Sequence, residues 1–504
     1  MINQLKKYSL FITLLIPFSL CAQQVHWQSA FVKMNKDSSL MYIPDAKGNI
    51  FPDFSRVGYH ANEKAIPQVK VVKELSATND DDQQKIQAAI DQLSAMPADK
   101  NGIRGALLLK AGEYKIHGSL RITAGGIVLR GEGEQTKLIA TGKGQRKLLI
   151  AAGKGELEEL AGTRIVITTD YVPVGAKSFE LSSTERLKKG DKIVVFRPGT
   201  ANWIADLKMD QIPSGTGTRQ WTAADYNLKF ERVITDIKGK TIYIDQPVVM
   251  AMETKYGGGE IFRCTFSGRI GEVGVENLCL ESEYASETDE DHGWDAISFD
   301  KIENSWVSHV TSRYFGYSCV NLGQDSKNIT VSNSKCIAPK SQVIGGRRYS
   351  FNNDGQLNLV INCYASEGRH DYVTGAKVCG PNVFFNCIAE NSKGDIGPHH
   401  RWAMGTLYDN ITTDGEINIQ DRGNWGTGHG WAGVNQILWN CKVLKAAVQN
   451  PYVSGQNYSI GLMGEKIQGR LDGRPDGIWE GHNKAGLTPA SLYLLQVKNT
   501  QKYK

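Results

Sequence analysis

Long apolar runs are nearly missing from this sequence. The one candidate, Leu10 to Leu20, is too short to span a bilayer, so stable membrane insertion is not expected. A charge of one sign is also missing. Lys and Arg number 58 against 53 Asp and Glu, a net of +5, and no Lys/Arg block exceeds two residues. That argues against a basic tail for nucleic acid. Proline is sparse at 15 residues, whereas Gly reaches 53, Trp 10 and Tyr 19. This balance suits a β protein with many turns better than a helical one.

Lys6 and Lys7 precede the apolar run, and Leu20-Cys21-Ala22 offers a cleavage site before Gln23. Residues 1–22 therefore read as a signal peptide, and the protein as exported, periplasmic or secreted. Cys21 leaves eight of the nine cysteines downstream. An even count in an exported chain invites disulfides.

A repeat argues against them. VENLCLES (275–282), VSNSKCIA (331–338), VINCYASE (360–367), FFNCIAEN (384–391) and ILWNCKVL (437–444) are variants of one phrase. SWVSHVTS (305–312) and LYDNITTD (407–414) are copies without cysteine. Aligned on Cys279, His309, Cys336, Cys363, Cys387, Ile411 and Cys441, the spacings are 30, 27, 27, 24, 24 and 30. That period predicts an all-β, right-handed parallel β-helix. Equivalent residues then stack about 4.8 Å apart. Cysteines in such a stack are buried thiols, and the Asn before them forms a ladder at a bend. His309, in the same row, reads as structural.

NDDDQQKIQAAIDQLSA (79–95) has acidic residues and then apolar ones at helical spacing, which predicts a helix capping the N-terminal mouth of the coil. The period breaks at about 163–260, read as a small inserted β subdomain. The expected divisions are an N-terminal segment (23–66), cap helix and first coils (67–162), the insertion (163–260), the main coils (261–450) and a Gly- and Pro-containing tail (451–504).

FPDFSRVGYHANEKAIP (51–67), the helix at 79–95, and GALLLKAGEYKIHGSLRI with GIVLRGEGEQTKLIAT resemble the N-terminal signature of the pectin-lyase-like superfamily. The resemblance covers most of residues 45–450. It implies a pectin-lyase-like solenoid and a carbohydrate substrate. Lyases, hydrolases, epimerases and non-catalytic proteins share that scaffold, so it does not set the reaction. Neither the calcium-dependent pectate-lyase pattern nor the three aspartates of polygalacturonases is present.

Each rung of the repeat is followed by a polar cluster, and the same part of successive coils forms one face. The face would hold His292, Trp294 and Asp295; Arg313, Tyr314 and Tyr317; Arg347, Arg348 and Tyr349; Arg369, His370, Asp371 and Tyr372; His399, His400, Arg401 and Trp402; and Asp421, Arg422, His429 and Trp431. Aromatics stack on sugar faces, and arginine holds carboxylate or sulfate in a fork. The expected partner is an acidic polysaccharide or oligosaccharide, handled by a monomer.

β-Elimination at a uronate needs a neutralised carboxylate, a base and an acid. His399 or His400 is the candidate base, Arg401 and Arg369 neutralise, and His370 or Tyr372 is the acid. Arg347, Arg348, Arg313, Tyr314, Trp402, His292, Trp294, His429, Trp431 and Arg422 are candidate substrate-binding residues. Neighbours on a strand face opposite ways, so one of His399 and His400 faces the groove. An inverting hydrolase would instead need two carboxyls roughly 6.5–9.5 Å apart, from Asp295, Asp371, Asp395 and Asp421. A binder without catalysis would keep the aromatics and arginines and need no histidine cluster. The acidic run 281–292 makes Ca²⁺ a possible cofactor near Glu281, Glu283 and Asp291, although it lacks a calcium-loop spacing.

Overall fold

A computed structural model describes residues 26–78 and 80–502. The expected signal peptide lies outside the described residues. The repeat folds as a right-handed parallel β-helix, with parallel pairing carried from coil to coil. One face runs through Gly274–Ser282, Ile302–Arg313, Lys327–Ser332, Leu359–Ile361, Cys379–Phe385, Ala403–Asp409 and Ile437–Trp439. A second runs through Arg146–Ala152, Gly293–Asp300, Ser318–Leu322, Phe351–Asn353, Tyr372–Thr374, Asp395–Pro398 and Glu416–Ile419.

The bend in the phrase is set by backbone sterics. Asn277, His309, Asn333, Asn362, Asn386, Asn410 and Asn440 all have φ between 47° and 58°. Asparagine tolerates this left-handed conformation better than most residues. Its side chain also links coils: Asn386 Nδ2 donates to Asn362 Oδ1 at 2.7 Å, and Asn440 Nδ2 to Asn410 Oδ1 at 2.9 Å. His309 therefore stands in the asparagine row, not the cysteine row; it is exposed and bonded to Ser308. The interior row follows the bend: Leu278, Val310, Ser334, Cys363, Cys387, Ile411, Cys441 and Leu462, all buried. Cys279 and Cys336 lie one and two places further along. All eight described cysteines are free thiols.

The N-terminal helix runs Gln83–Ala95 and buries Ile86, Ala89, Ile90 and Leu93 against the first coils. Asp82 stands at its N-cap, but its carboxylate accepts from Thr78. Residues 157–266 contribute a separate antiparallel sheet, in the order Leu157–Glu159, Glu260–Phe266, Lys192–Arg197, Leu228–Lys238, Thr241–Ile244, Ser178–Glu180. Its core of Trp203, Trp221, Tyr226 and Phe230 merges with Trp402, Met404, Trp431 and Val434 of the coils.

The segment read as a tail continues the coil. Tyr458–Ile460 and Ile478–Glu480 extend one ladder, and Met463–Lys466 extends another. The helix Leu492–Lys502 then packs on the N-terminal segment, where Gln496 bonds the backbone of Phe54 and Pro52. This helix carries no long apolar stripe, so the repeat hides it. No helix among the described residues is long and apolar enough to cross a membrane.

Two measurements check this interior. Unfolded without reductant, the protein should titrate all eight described cysteines as thiols. Asn386→Ala should lower stability in urea by about 2–3 kcal/mol, from roughly 1–2 for a left-handed alanine and about 1 for the lost hydrogen bond.

Candidate active site

Coil pairing builds the site. Phe351 and Tyr372 are register partners, and their rings stack at 5.5 Å inside the core. Two residues before each of these strands stand Tyr349 and His370, with ring centroids 4.9 Å apart and nearly perpendicular. On the next coil His399 follows the strand Asp395–Pro398 and donates its N–H to the Thr374 carbonyl at 2.8 Å. Tyr349 Oη lies 3.0 Å from His399 Nε2, and the His370 and His399 rings are 4.4 Å apart. His400 lies 5.2 Å from His399, and His429, from a glycine-rich loop, lies 5.0 Å from both. Five rings from four coils thus form one continuous cluster.

Asp395 anchors it. Its carboxylate pairs with Arg422 and lies 3.3 Å from His370 Nδ1. His370 Nδ1 also donates to the Asp395 carbonyl at 2.7 Å. That bond fixes the proton on Nδ1 and leaves a lone pair on Nε2, which is buried and has no hydrogen-bond partner.

The histidines are neutral. Burial pushes His370 and His400 down to about 4 and His429 to about 3, and adjacent positive charge adds to it at His400 and His429. His399 falls further still, through burial and then His370, Arg422, His400 and His429. Burial raises the Tyr349 phenol, against Arg369 and Arg422, so it keeps its proton. The arrangement therefore holds a protonated phenol beside neutral imidazoles.

Arg369 and Arg401 stand half-buried at the edge. Arg401 donates to the Thr427 carbonyl at 2.9 Å, and Arg369 reaches the Gly345 carbonyl. Arg401 and Trp402 adopt φ of 53° and 64°. Two consecutive left-handed residues store backbone strain beside the cluster.

Several sequence candidates serve other purposes. Tyr372 points into the coil and bonds backbone carbonyls of Cys363 and Ile388, so it cannot be the acid. Trp402 and Trp431 are fully buried where the inserted sheet meets the coils; Trp402 packs 5.1 Å from Trp203, and Trp431 donates to the Leu207 carbonyl. They are not sugar platforms. His292 is buried and tied to Ser282 and Lys340. Arg348 is buried and donates to the Ser341 and Glu287 carbonyls. Arg347 pairs with Glu290, and Arg313 with Glu134. Trp294 packs over Gly316, and Tyr314 lies against Tyr284.

The four aspartates weighed for hydrolysis are engaged separately. Asp371 is held between Ser350 and Ser392, Asp421 by Arg474, Asp395 by Arg422, and Asp295 by Asn321. In the acidic run Asp291 accepts from the Gly144 amide. Among the described residues no group of three or more His, Cys, Asp or Glu side chains is arranged to hold a metal ion. Reasoning from the sequence did not give Tyr349 a catalytic role. The signal was there: Arg348-Tyr349-Ser350-Phe351 aligns with Arg369-His370-Asp371-Tyr372.

The fold is a right-handed parallel β-helix, as the resemblance in the sequence implies. No family model matches the chain, and no curated protein matches it. Among solved structures it is similar to the tailspike protein gp49 of Pseudomonas phage LKA1, with 16% identity and a TM-score of 0.48, over 76% of this chain and 56% of that one. It is similar to an alginate lyase from Paenibacillus sp., with 9% identity and a TM-score of 0.41, over 83% and 99%. A third is the tailspike of E. coli bacteriophage HK620 in complex with a pentasaccharide, with 10% identity and a TM-score of 0.43, over 88% and 61%.

Stability should report the neutral cluster. Unfolding frees histidines that take up protons below their ordinary value of 6.5, whereas the folded cluster resists until about 4. The histidine contribution is therefore complete above pH 6.5 and lost as pH falls towards 4. His400→Gln should flatten the fall in melting temperature between pH 7 and 4. An unchanged slope would mean the cluster is hydrated and charged.

Proposed function

We propose that this protein is an exported, monomeric polysaccharide lyase that cleaves an acidic, uronate-containing glycan by β-elimination. The observation that carries this is the Tyr349–His399 hydrogen bond beside His370 Nε2, with arginines at the edge. Arg369 and Arg401 neutralise the uronate carboxylate, which acidifies the C5 proton. His370 Nε2, with a lone pair and no partner, takes that proton. The Tyr349 phenol delivers its own to the leaving glycosidic oxygen, and His399 Nε2 holds and orients that hydroxyl. The C5–H pair becomes the C4–C5 double bond as the C4–O bond breaks. Export is supported by the lysines and apolar run at residues 6–20, and a carbohydrate substrate by the resemblance of residues 45–450 to the pectin-lyase-like superfamily.

The test is the ultraviolet absorbance of an unsaturated uronate. Purified protein is screened against pectins, alginate, ulvan, glycosaminoglycans, fucoidans and glucuronate-bearing plant gums, with and without chelator. One substrate should give a steady rise. Tyr349→Phe and His370→Ala should each cut kcat by about 10²-fold or more with the fold retained. New reducing ends without absorbance would overturn the lyase reading in favour of hydrolysis.

A further inference from the structure

Trp402 and Trp431 are buried, but a third tryptophan near the cluster is not. Trp425 is 42% exposed, more than any other tryptophan among the described residues. It lies in the loop that brings His429 to the cluster. The amides of Gly428 and His429 both donate to its carbonyl, at 3.2 and 3.1 Å. Arg422 links its ring to the cluster. That guanidinium lies 5.6 Å from the indole centroid and pairs with Asp395, whose carboxylate is 3.3 Å from His370 Nδ1. The indole therefore stands one guanidinium and one carboxylate away from His370.

A second guanidinium lies against the same indole. Arg470 Cζ is 4.6 Å from the ring centroid, and the residue is exposed. Its amide donates to Gln420 Oε1 at 2.7 Å. Its head donates to neutral acceptors, the Arg422 carbonyl at 2.6 Å and Asn424 Oδ1 at 2.8 Å. Those bonds use two of the five N–H donors of a guanidinium. Among the described residues no carboxylate pairs with Arg470; Asp421, which acts on it from a distance, is taken by Arg474. The loop is braced on another side by the inserted subdomain. Asn424 Nδ2 donates to the Ser214 carbonyl at 3.1 Å, and the Arg219 amide to the Thr427 carbonyl at 3.1 Å. A platform held this way loses little freedom when a ligand lands on it. The open indole surface matches the C–H face of a pyranose, and the unneutralised fork beside it matches a carboxylate.

We propose that Trp425 and Arg470 form a subsite for a second uronate of the glycan, outside the bond-breaking site, with the indole under the sugar ring and Arg470 on its carboxylate. The inference rests on the proposed function for the acidic glycan that crosses the cluster. It makes the substrate a chain whose uronates recur, and it gives the segment whose sequence reads as a tail a part in binding.

The experiment measures retardation in gels containing polygalacturonate, alginate, hyaluronan or ulvan, with hydroxyethylcellulose as the uncharged control. The parent carries His370→Ala, so that chains are bound and not cut. At least one uronate polymer should retard it, and hydroxyethylcellulose should not. Trp425→Ala and Arg470→Gln, each with the parent's melting curve, should weaken that binding about ten-fold. Trp425→Tyr, which keeps a ring, should retain most of it. With His370 restored, Trp425→Ala should raise KM and spare kcat, because a contact made equally in ground and transition states is uniform binding. No retardation by any uronate polymer, equal retardation by hydroxyethylcellulose, or folded Trp425→Ala and Arg470→Gln that bind like the parent would overturn the subsite. So would a Trp425→Tyr as weak as the alanine variant, which would make the indole structural. Binding that depends on Trp425 and Arg470, with no absorbance from the wild type on any chain, would overturn the lyase reading and leave the subsite standing.

Discussion

Parallel backbone pairing between coils governs everything else in this molecule. It sets a step of about 4.8 Å and gives each side chain one neighbour above and one below. Chemistry therefore has to be arranged in rows. The asparagine row satisfies the bend, the row after it fills the interior, and the row through Tyr349 and His370 builds the ring cluster. A residue that is wrong for its row disturbs two coils at once. The same rule lets three successive coils bring Tyr349, His370 and His399 together although they are 21 and 29 residues apart.

The sequence His399-His400-Arg401 reads as crowded positive charge only if histidine is charged. Desolvation decides otherwise. Packing imidazoles at 4.4–5.2 Å centroid spacing excludes water, and a second proton nearby makes the first less tolerable. Both effects act in one direction, so the cluster stays neutral while the arginines keep their charge. Arg422, fully buried, is matched by Asp395, and Arg369 and Arg401 stay near solvent. Fixed cation and neutral base thus sit side by side, a combination that a cluster open to water would not maintain near neutrality.

The coil and its direction were legible because their signal is periodic. What was misread follows from period alone being too coarse. Aligning His309 with Cys279 missed that the backbone φ, not the cysteine, marks the repeat; aligned on the bend, His309 falls with asparagines. Tyr372 was placed on the groove because it lies close to His370, but it opens the strand Tyr372–Thr374 and packs inward against Phe351, whereas His370 lies before that strand. Asp395 looked like one more carboxylate, and its two partners lie in different coils. The C-terminal helix gave no repeat to follow and is held by contacts to residues more than 400 positions away.

Trp402 and Trp431 carry the same lesson further. Large aromatics beside a histidine cluster invite a sugar-stacking role, yet both are committed to the inserted sheet. That commitment has a consequence for the site. Trp402 follows Arg401 directly, both residues hold left-handed φ, and Trp402 is locked between Trp203, Trp221 and the Met250 thioether. The inserted subdomain therefore holds the backbone that positions His399, His400 and Arg401. A strained pair persists only where its surroundings over-determine it, and here the surroundings are the hydrophobic join itself. The subdomain that breaks the repeat is thus the part that lets an otherwise regular coil hold an irregular, reactive turn.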